Sequence, residues 1–172
     1  MCHTLLESER LILRHQQASD TESLVDLWSD PDVTRFLGGP RDRERLRKAF
    51  EETAADPDAV QYDLWPVIEK ATGKLVGHCG LLDKEVDGRP EIEVTYVLAR
   101  FAWGKGYATE IAQALKQHAF ETLGITRLIA LIEPENAASE RVAEKIGMRF
   151  EQDVIRPGGA VRKVYTVERS SA

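Results

Sequence analysis

A segment with two glycines, residues 103–110, carries the pattern of residue types that most clearly indicates chemistry. It reads Trp103-Gly104-Lys105-Gly106-Tyr107-Ala108-Thr109-Glu110 and is called the glycine segment below. It follows an apolar stretch typical of a strand and begins an amphipathic stretch typical of a helix, Tyr107 to Leu123. Glycines at the start of a helix leave its first N–H groups open, and the helix dipole adds positive potential there. The segment therefore predicts a cradle for a phosphate or pyrophosphate group, with Lys105 adding a point charge.

Other interpretations of the glycine segment differ in how well they fit its residues. Glycines at a helix start are also common structural punctuation, and this interpretation stays open on the residues alone. A P-loop is excluded because the Gly-Lys-Ser/Thr ending is absent. A dinucleotide-binding fingerprint is disfavoured because Thr109 replaces its third glycine and because apparent hairpins precede the strand, although Glu133 ends the next predicted strand much as a ribose-binding acid would.

A second polar cluster contains Asn136 and Ser139, which follow a predicted strand and begin a predicted helix from Ala138 to Ile146. Asn136 is a good N-cap and Gly147 a good C-cap, so helix capping accounts for both ends. Capping does not explain why this unit follows the glycine segment at this spacing. Asn136 and Ser139 are therefore candidate site residues.

The histidines and cysteines show no pattern of a metal or nucleophile site. The four histidines have no ligand spacing among them, and no metal is expected. His78 and Cys79 are neighbours, but adjacent strand residues point to opposite faces, which argues against a nucleophile pair. Cys2 and Cys79 are too few for a disulfide framework, so both are expected to be free thiols in a cytoplasmic protein.

The composition excludes several classes of protein. The chain has 172 residues, of which 42% are hydrophobic and 30% charged, as expected of a single globular domain over residues 1–172. The net charge of −6 argues against nucleic acid as a partner, but not against a small anion held by a local set of donors. No apolar run is long enough to span a membrane, and the N-terminus lacks a signal-peptide pattern.

The elements that must position these residues are predicted from apolar periodicity and turn residues. Strands over Val60 to Glu69 and Leu75 to Leu82 form a hairpin at Ala71-Thr72-Gly73-Lys74. The order strand, helix, strand around the glycine segment favours one parallel pair, which indicates an α+β or mixed α/β fold. The other predicted elements are strands over Arg10 to Arg14, Ile92 to Leu98, Arg127 to Glu133, Met148 to Val154 and Val161 to Val167, and helices after Ser19-Asp20 and over Arg41 to Glu52.

Four motifs in one order along the chain resemble the GNAT superfamily of acetyl-CoA-dependent N-acetyltransferases, and within it the RimJ/RimL-type branch, the ribosomal-protein alanine acetyltransferases. The resemblance spans nearly the whole chain and is far more specific for the superfamily than for the substrate. It implies a twisted, mostly antiparallel sheet with one parallel strand–helix–strand unit and helices on both faces. The motifs are Glu9-Arg10-Leu11-Ile12-Leu13-Arg14, Gly77-His78-Cys79-Gly80-Leu81, the glycine segment, and Asn136-Ala137-Ala138-Ser139 with Glu144-Lys145-Ile146-Gly147-Met148.

The resemblance implies acetyl-CoA as co-substrate and no metal. The pyrophosphate would lie on backbone N–H groups of residues 104–109, and the pantetheine arm would run along the strand over Val94 to Leu98 like an added strand. The chain departs from the superfamily pattern at Trp103, which replaces the usual Gln or Arg, and at Ala143, which replaces a tyrosine that often protonates the CoA thiolate. The implied cofactor-binding residues are Val97, Leu98, Trp103, Gly104, Lys105, Gly106, Tyr107, Ala108, Thr109, Asn136 and Ser139.

Acetyl transfer to an amine needs a base, a donor for the developing oxyanion and an acid for the leaving thiol. Glu93 is the candidate base, because its strand runs beside the implied thioester; Glu91 shares its face but lies nearer the exposed start, and water is a third possibility. A main-chain N–H near Val97 or Leu98 would hold the oxyanion. With Ala143 in the tyrosine position, Ser139 becomes the candidate acid.

The acceptor is expected to be a primary amine, either a protein N-terminus or a small molecule such as an amino acid, polyamine or antibiotic. The family builds its acceptor wall from the first two helices and the turn between them. The candidates are Trp28, Phe36, Leu37 and Trp65; such residues are more often core, and some of the four are expected to line this wall. The competing hypothesis is a non-catalytic acyl-CoA-binding or interaction module, favoured only by Ala143. A monomer or a homodimer is expected.

Overall fold

The computed structural model describes residues 3–171, so Cys2 lies outside the described residues. The strands are β1 (Thr4–Glu7), β2 (Leu11–Arg14), β3 (Leu64–Glu69), β4 (Leu75–Val86), β5 (Arg89–Leu98), β6 (Arg127–Ile132), β7 (Arg149–Ile155) and β8 (Val161–Glu168). The α-helices are α1 (Thr21–Ser29), α2 (Arg43–Ala55), α3 (Tyr107–Glu121) and α4 (Ala137–Lys145).

All eight strands of the described residues form one sheet in the order β1-β2-β3-β4-β5-β6-β8-β7. Every neighbouring pair is antiparallel except β5 and β6, which α3 connects in parallel. A parallel pair needs a long crossover, and the helix that begins in the glycine segment supplies it. The predicted fold, a mixed and mostly antiparallel sheet with one parallel unit, is confirmed.

The helices cover both faces of the sheet, and two adjacent residues of β4 show how. Cys79 is fully buried in the main core with Ile111 and Leu115 of α3. The His78 ring points the other way and contacts the rings of Trp28 in α1 and Phe50 in α2. The period-two alternation of a strand therefore gives the central strands a separate hydrophobic layer on each face.

The structure corrects the predicted boundaries of β3, β4 and β5, the last of which begins at Arg89 and not at Ile92. The strand predicted from Val60 begins at Leu64, because the chain before it crosses over β4: a Cβ on Gly80 would lie 2.0 Å from the Asp63 carbonyl oxygen. β4 continues to Val86, and Asp87-Gly88 forms a tight hairpin turn into β5 with positive φ at both residues.

β1, which the sequence did not predict, is a four-residue strand at the edge of the sheet. No helix within residues 3–171 is both long and apolar enough to cross a membrane.

Candidate functional site

A cleft of about 550 Å³ opens where β5 and β6 separate. The two strands pair only at Glu93 and Ile129, and β5 continues to Leu98 without a β6 partner. The walls of the cleft come from the end of β5, the glycine segment, the start of α4 and the loop of residues 32–37. The parallel pair thus ends in an opening bounded by the two polar clusters that the sequence singled out.

The glycine segment presents open main-chain donors to this cleft. Gly104 and Gly106 have φ values of +73° and +80°, a conformation that residues with a side chain rarely adopt. Within residues 3–171, no backbone N–H from Gly104 to Thr109 donates a hydrogen bond. The first N–H groups of α3 and the glycines before it are therefore free to bind an anion.

The side chains of the glycine segment have different positions. Trp103 is half exposed, lines the cleft and donates from Nε1 to the Leu98 carbonyl at 2.9 Å. Gly104, Gly106, Tyr107, Ala108 and Thr109 also line the cleft. Lys105 does not; its Nζ lies 3.7 Å from a Glu69 carboxylate oxygen. The hydroxyl of Tyr107 donates to the same oxygen, Glu69 Oε2.

Asn136 and Ser139 meet at the start of α4, on the opposite wall. Asn136 Oδ1 accepts from the Ser139 N–H at 3.2 Å, so Asn136 is the helix cap. Asn136 Nδ2 donates to Ser139 Oγ at 3.1 Å. The serine oxygen accepts this bond, so its own O–H remains available as a donor. Both residues line the cleft together with Val97 and Leu98.

Tyr96 is a residue that the sequence analysis missed. Its hydroxyl donates to the Ser139 carbonyl at 3.0 Å, which connects β5 to α4 across the cleft. Burial raises the pKa of the Tyr96 hydroxyl, so the group stays protonated at physiological pH. In the sequence an aromatic residue in a strand looks like an ordinary core residue, and only the splayed strands reveal that Tyr96 lines an opening.

Ala143, in the position that the resemblance assigns to a tyrosine, is fully buried in the main core. It does not line the cleft, whereas the hydroxyl-bearing residues Tyr96 and Ser139 do. The absent tyrosine was the one feature that favoured a non-catalytic module. Since the hydroxyl groups of Tyr96 and Ser139 line the cleft, the non-catalytic alternative has no support in the structure.

Glu93 lies at the point where β5 and β6 separate. Its carboxylate accepts from the Leu131 N–H of β6 at 3.4 Å and lies 3.6 Å from Lys84 Nζ. Burial raises the pKa of Glu93, and the Lys84 charge partly offsets that effect. Glu93 sits beside the cleft and does not line it directly. Glu91 instead forms an ion pair with Arg127 at 3.1 Å.

The four residues expected in the acceptor wall separate into two groups. Phe36 and Leu37 line the cleft. Trp28 does not: it packs beside them in the α1–α2 layer and donates from Nε1 to His78 Nδ1 at 3.0 Å. Trp65 packs against the main core from β3, two strands away from β5, because strand alternation turns it towards the α3 face.

His78 and Cys79 behave as core residues. Burial lowers the pKa of His78 to about 4 and raises the pKa of the Cys79 thiol to about 12, so both are neutral at physiological pH. They point to opposite faces, as the sequence predicted, and form no nucleophile pair. Within residues 3–171, no group of three or more His, Cys, Asp or Glu side chains is arranged to hold a metal ion.

The sequence and the fold of the chain are similar to those of known proteins. Residues 10–149 match the acetyltransferase (GNAT) domain family. The "Uncharacterized N-acetyltransferase p20" of Bacillus licheniformis is 32% identical over 167 residues, which cover 93% of this chain and 92% of that protein. The crystal structure of a GNAT-family acetyltransferase from Bacillus anthracis is 29% identical, covers 98% of both chains and has a TM-score of 0.78.

A more distant structure is similar in fold alone. It is RimL, the ribosomal L7/L12 alpha-N-protein acetyltransferase, in complex with coenzyme A. It is 18% identical, covers 96% of this chain and 98% of that chain, and has a TM-score of 0.78.

Proposed function

The chain belongs to the GNAT family of acetyltransferases and carries out acetyl-CoA-dependent acetylation; we propose that its acceptor is a primary amine, which attacks the thioester directly while both substrates are bound. The observation that carries the proposal is the opening between β5 and β6, with free main-chain donors along one wall and a buried carboxylate, Glu93, beside the point where the two strands separate. In this proposal the donor enters along the free edge of β5, and the acceptor approaches from the α1–α2 side.

The glycine segment fits the pyrophosphate of acetyl-CoA. Its open N–H groups and the N-terminus of α3 supply donors and positive potential, and the absence of side chains at Gly104 and Gly106 lets a phosphate approach. The unpaired edge of β5 near Val97 and Leu98 offers main-chain groups to the pantetheine arm and a donor to the carbonyl oxygen that gains charge.

Glu93 removes a proton from the acceptor amine, directly or through a water molecule. A carboxylate whose pKa is raised by burial is a stronger base than an exposed one, which suits this task. A terminal α-amine with a pKa of about 8 is about one-tenth neutral at pH 7, whereas about one lysine in 2,500 is neutral. An α-amine therefore needs only a modest base, and this favours a protein N-terminus or an α-amino compound over a lysine side chain.

Ser139 donates a hydrogen bond to the departing sulfur and relays a proton to it from water, so that the serine hydroxyl is restored. The hydrogen bond from Asn136 Nδ2 orients Ser139 Oγ, so the serine proton is available to the thiolate while the C–S bond breaks. A thiol has a pKa of about 8.5, so the acid need not be strong. Tyr96, whose hydroxyl is engaged with the Ser139 carbonyl, holds this part of α4 against β5.

The RimJ/RimL-type subclass is part of the same proposal. It is supported by the motifs and by a fold shared with RimL, an alpha-N-protein acetyltransferase. The loop of residues 32–37 and the residues Phe36 and Leu37 would then form the wall that selects the acceptor. Protein N-termini and small primary amines are both compatible with an open cleft. For either acceptor, the proposed location of the protein is the cytoplasm.

An acceptor screen tests the proposal. Purified protein with acetyl-CoA is offered peptides with free α-amines, the same peptides with blocked α-amines, polyamines and aminoglycosides, and the release of free CoA thiol is measured. We expect turnover with at least one class of primary amine and none with the blocked peptides. Acetylation of hydroxyl compounds with no amine activity would overturn the amine assignment and leave the family assignment intact.

A further inference from the structure

We propose that Arg10 is a positioning residue for the donor's phosphate site: it holds the Lys105 carbonyl and thereby aims the Gly106 N–H into the cleft. Arg10 lies between β1 and β2 and is 100 residues away in sequence from Glu110, its partner in α3. The inference rests on the proposed function, because it takes the glycine segment as the site of the acetyl-CoA pyrophosphate.

The orientation follows from the planarity of one peptide group. Arg10 Nη1 donates to the Lys105 carbonyl at 2.9 Å. That carbonyl and the N–H of Gly106 belong to the same trans peptide and point in opposite directions. Gly106 lines the cleft, whereas Lys105 and Arg10 do not. With the carbonyl fixed towards Arg10, the Gly106 N–H faces the cleft.

The guanidinium is itself held from several directions. Its Nε donates to Glu110 Oε2 at 2.7 Å, and its Cζ lies 4.6 Å from the centroid of the Tyr107 ring. Glu110 Oε1 also accepts from the Arg10 main-chain N–H at 2.8 Å and from Ser8 Oγ at 2.6 Å. A planar fork makes the Lys105 and Glu110 bonds at the same time, which a single ammonium cannot match.

Arg10 is already paired with Glu110, so its charge is not free to bind the phosphate directly. Glu110 stands in the first turn of α3, where an unpaired carboxylate would repel an anion. Arg10 neutralises it, so the pair adds little net charge to the site. Arg10 can therefore act in two ways, by orienting the Lys105–Gly106 peptide or by neutralising Glu110. A variant that removes the charges of both Arg10 and Glu110 distinguishes the two.

The test is isothermal titration of acetyl-CoA into the wild type, Arg10→Ala and the double variant Arg10→Ala/Glu110→Gln. Arg47→Ala is the matched control, because Arg47 forms comparable ion pairs with Glu22 and Glu44 on α1 and α2, away from the cleft. We expect the dissociation constant to rise about tenfold for Arg10→Ala, about 1.4 kcal/mol, with a rise of about fivefold or more kept in the double variant and no change in the control.

The other outcomes of these titrations would contradict the proposed role of Arg10. A purely structural role would lower the binding stoichiometry and the melting temperature but leave the dissociation constant of the folded fraction unchanged, which would overturn the proposal. Full recovery in the double variant would also overturn it, since only neutralisation would then matter. Loss of binding in Gly106→Val with normal binding in Arg10→Ala defeats this inference alone, whereas a wild type that does not bind acetyl-CoA defeats the proposed function as well.

Discussion

The two ends of the cleft are built in different ways. At the glycine segment the available polar groups are main-chain N–H groups, and side chains such as Arg10 and Glu110 support them from behind. At the other end the candidate groups are side chains from separate elements: Glu93 of β5, beside the cleft, and Ser139 of α4, on its wall. One end depends on the conformation of a short continuous segment, and the other on how separate elements pack.

This difference explains why the acetyl-CoA site is easier to recognise from the sequence than the site of the acetyl acceptor. A main-chain site needs glycines and a helix start at fixed spacing, and any acetyl-CoA-dependent enzyme with this fold can reuse it. The proposed acceptor wall uses loop residues that line the cleft, such as Phe36 and Leu37, and other side chains can replace these without loss of the fold. The sequence therefore identifies the family long before it identifies the acceptor.

Replacement of the candidate base should have the largest effect at the side-chain end. We expect Glu93→Gln to lower kcat/KM by about 10²- to 10³-fold, within the range for a positioned base, with acetyl-CoA affinity nearly unchanged. Because burial raises the pKa of Glu93, the wild-type rate should fall as the pH drops through that raised pKa. The variant should lack this limb and regain activity at high pH, where the amine deprotonates unaided; pH–rate profiles of both proteins measure it.

Glu91→Gln is the matched control for this experiment. Glu91 lies on the same strand face but is paired with Arg127, so its loss should reduce stability and leave turnover per folded molecule intact. A drop in kcat/KM for Glu91→Gln, together with an unaltered profile for Glu93→Gln, would transfer the base to Glu91.

Ser139→Ala tests the proton donor at the same end. We expect a fall in kcat of about 10²-fold, the low end for a positioned acid, and only slightly weaker acetyl-CoA binding, since one neutral hydrogen bond is worth about 1 kcal/mol. Because Asn136 is the side chain that caps α4, the melting temperature should change little. Steady-state kinetics and thermal melts on one sample measure both quantities.

Tyr96→Phe is the companion variant, since it removes the other hydroxyl at this point of the cleft. It breaks the link to the Ser139 carbonyl and keeps the ring. If turnover survives Ser139→Ala but not Tyr96→Phe, the proton donor is Tyr96.

The sequence predicted the sheet, the parallel pair and the glycine segment because each has a local cause. Alternation, turn residues and helix caps act over a few positions, and the hairpin at residues 71–74 is an example: β3 and β4 are antiparallel with Gly73 at φ +70°. The missed strand β1 has only two apolar residues, Leu5 and Leu6, whereas β2, which is equally short, has three in a row and was predicted.

Such local rules could not predict contacts between segments that are distant in the sequence. The bonds from Arg10 to Lys105 and Glu110, and from Tyr96 to Ser139, join segments whose proximity only the folded sheet decides. For the same reason Trp65 was expected in the acceptor wall, whereas the face of β3 on which it lies directs it to the main core. Burial of Ala143 likewise depends on how α4 packs.

Gly106→Val tests the main-chain end of the comparison. Gly106 has φ +80°, so valine strains the backbone, and its methyl groups extend beyond a Cβ that already lies 3.5 Å from an Arg10 nitrogen. We expect acetyl-CoA binding to weaken more than about tenfold, about 1.4 kcal/mol or above, as measured by titration calorimetry. Gly158→Val, in the β7–β8 turn at φ +94° with open space around it, carries a similar strain away from the cleft and should bind normally. Equal binding by the two variants would contradict the phosphate-site assignment.

Lys105→Ala should have the smallest effect, although Lys105 is the one cation inside the glycine segment. Its ammonium lies outside the cleft wall, near Glu69, and is half exposed, so solvent and salt screen its charge. We expect the dissociation constant of acetyl-CoA to rise by no more than about threefold at physiological salt, which is well under 1 kcal/mol, with a larger difference at low ionic strength. Titrations at two salt concentrations measure both values. If Lys105→Ala weakens binding as much as Gly106→Val, side-chain charge rather than main-chain geometry dominates this end, and the contrast between the two ends of the cleft fails.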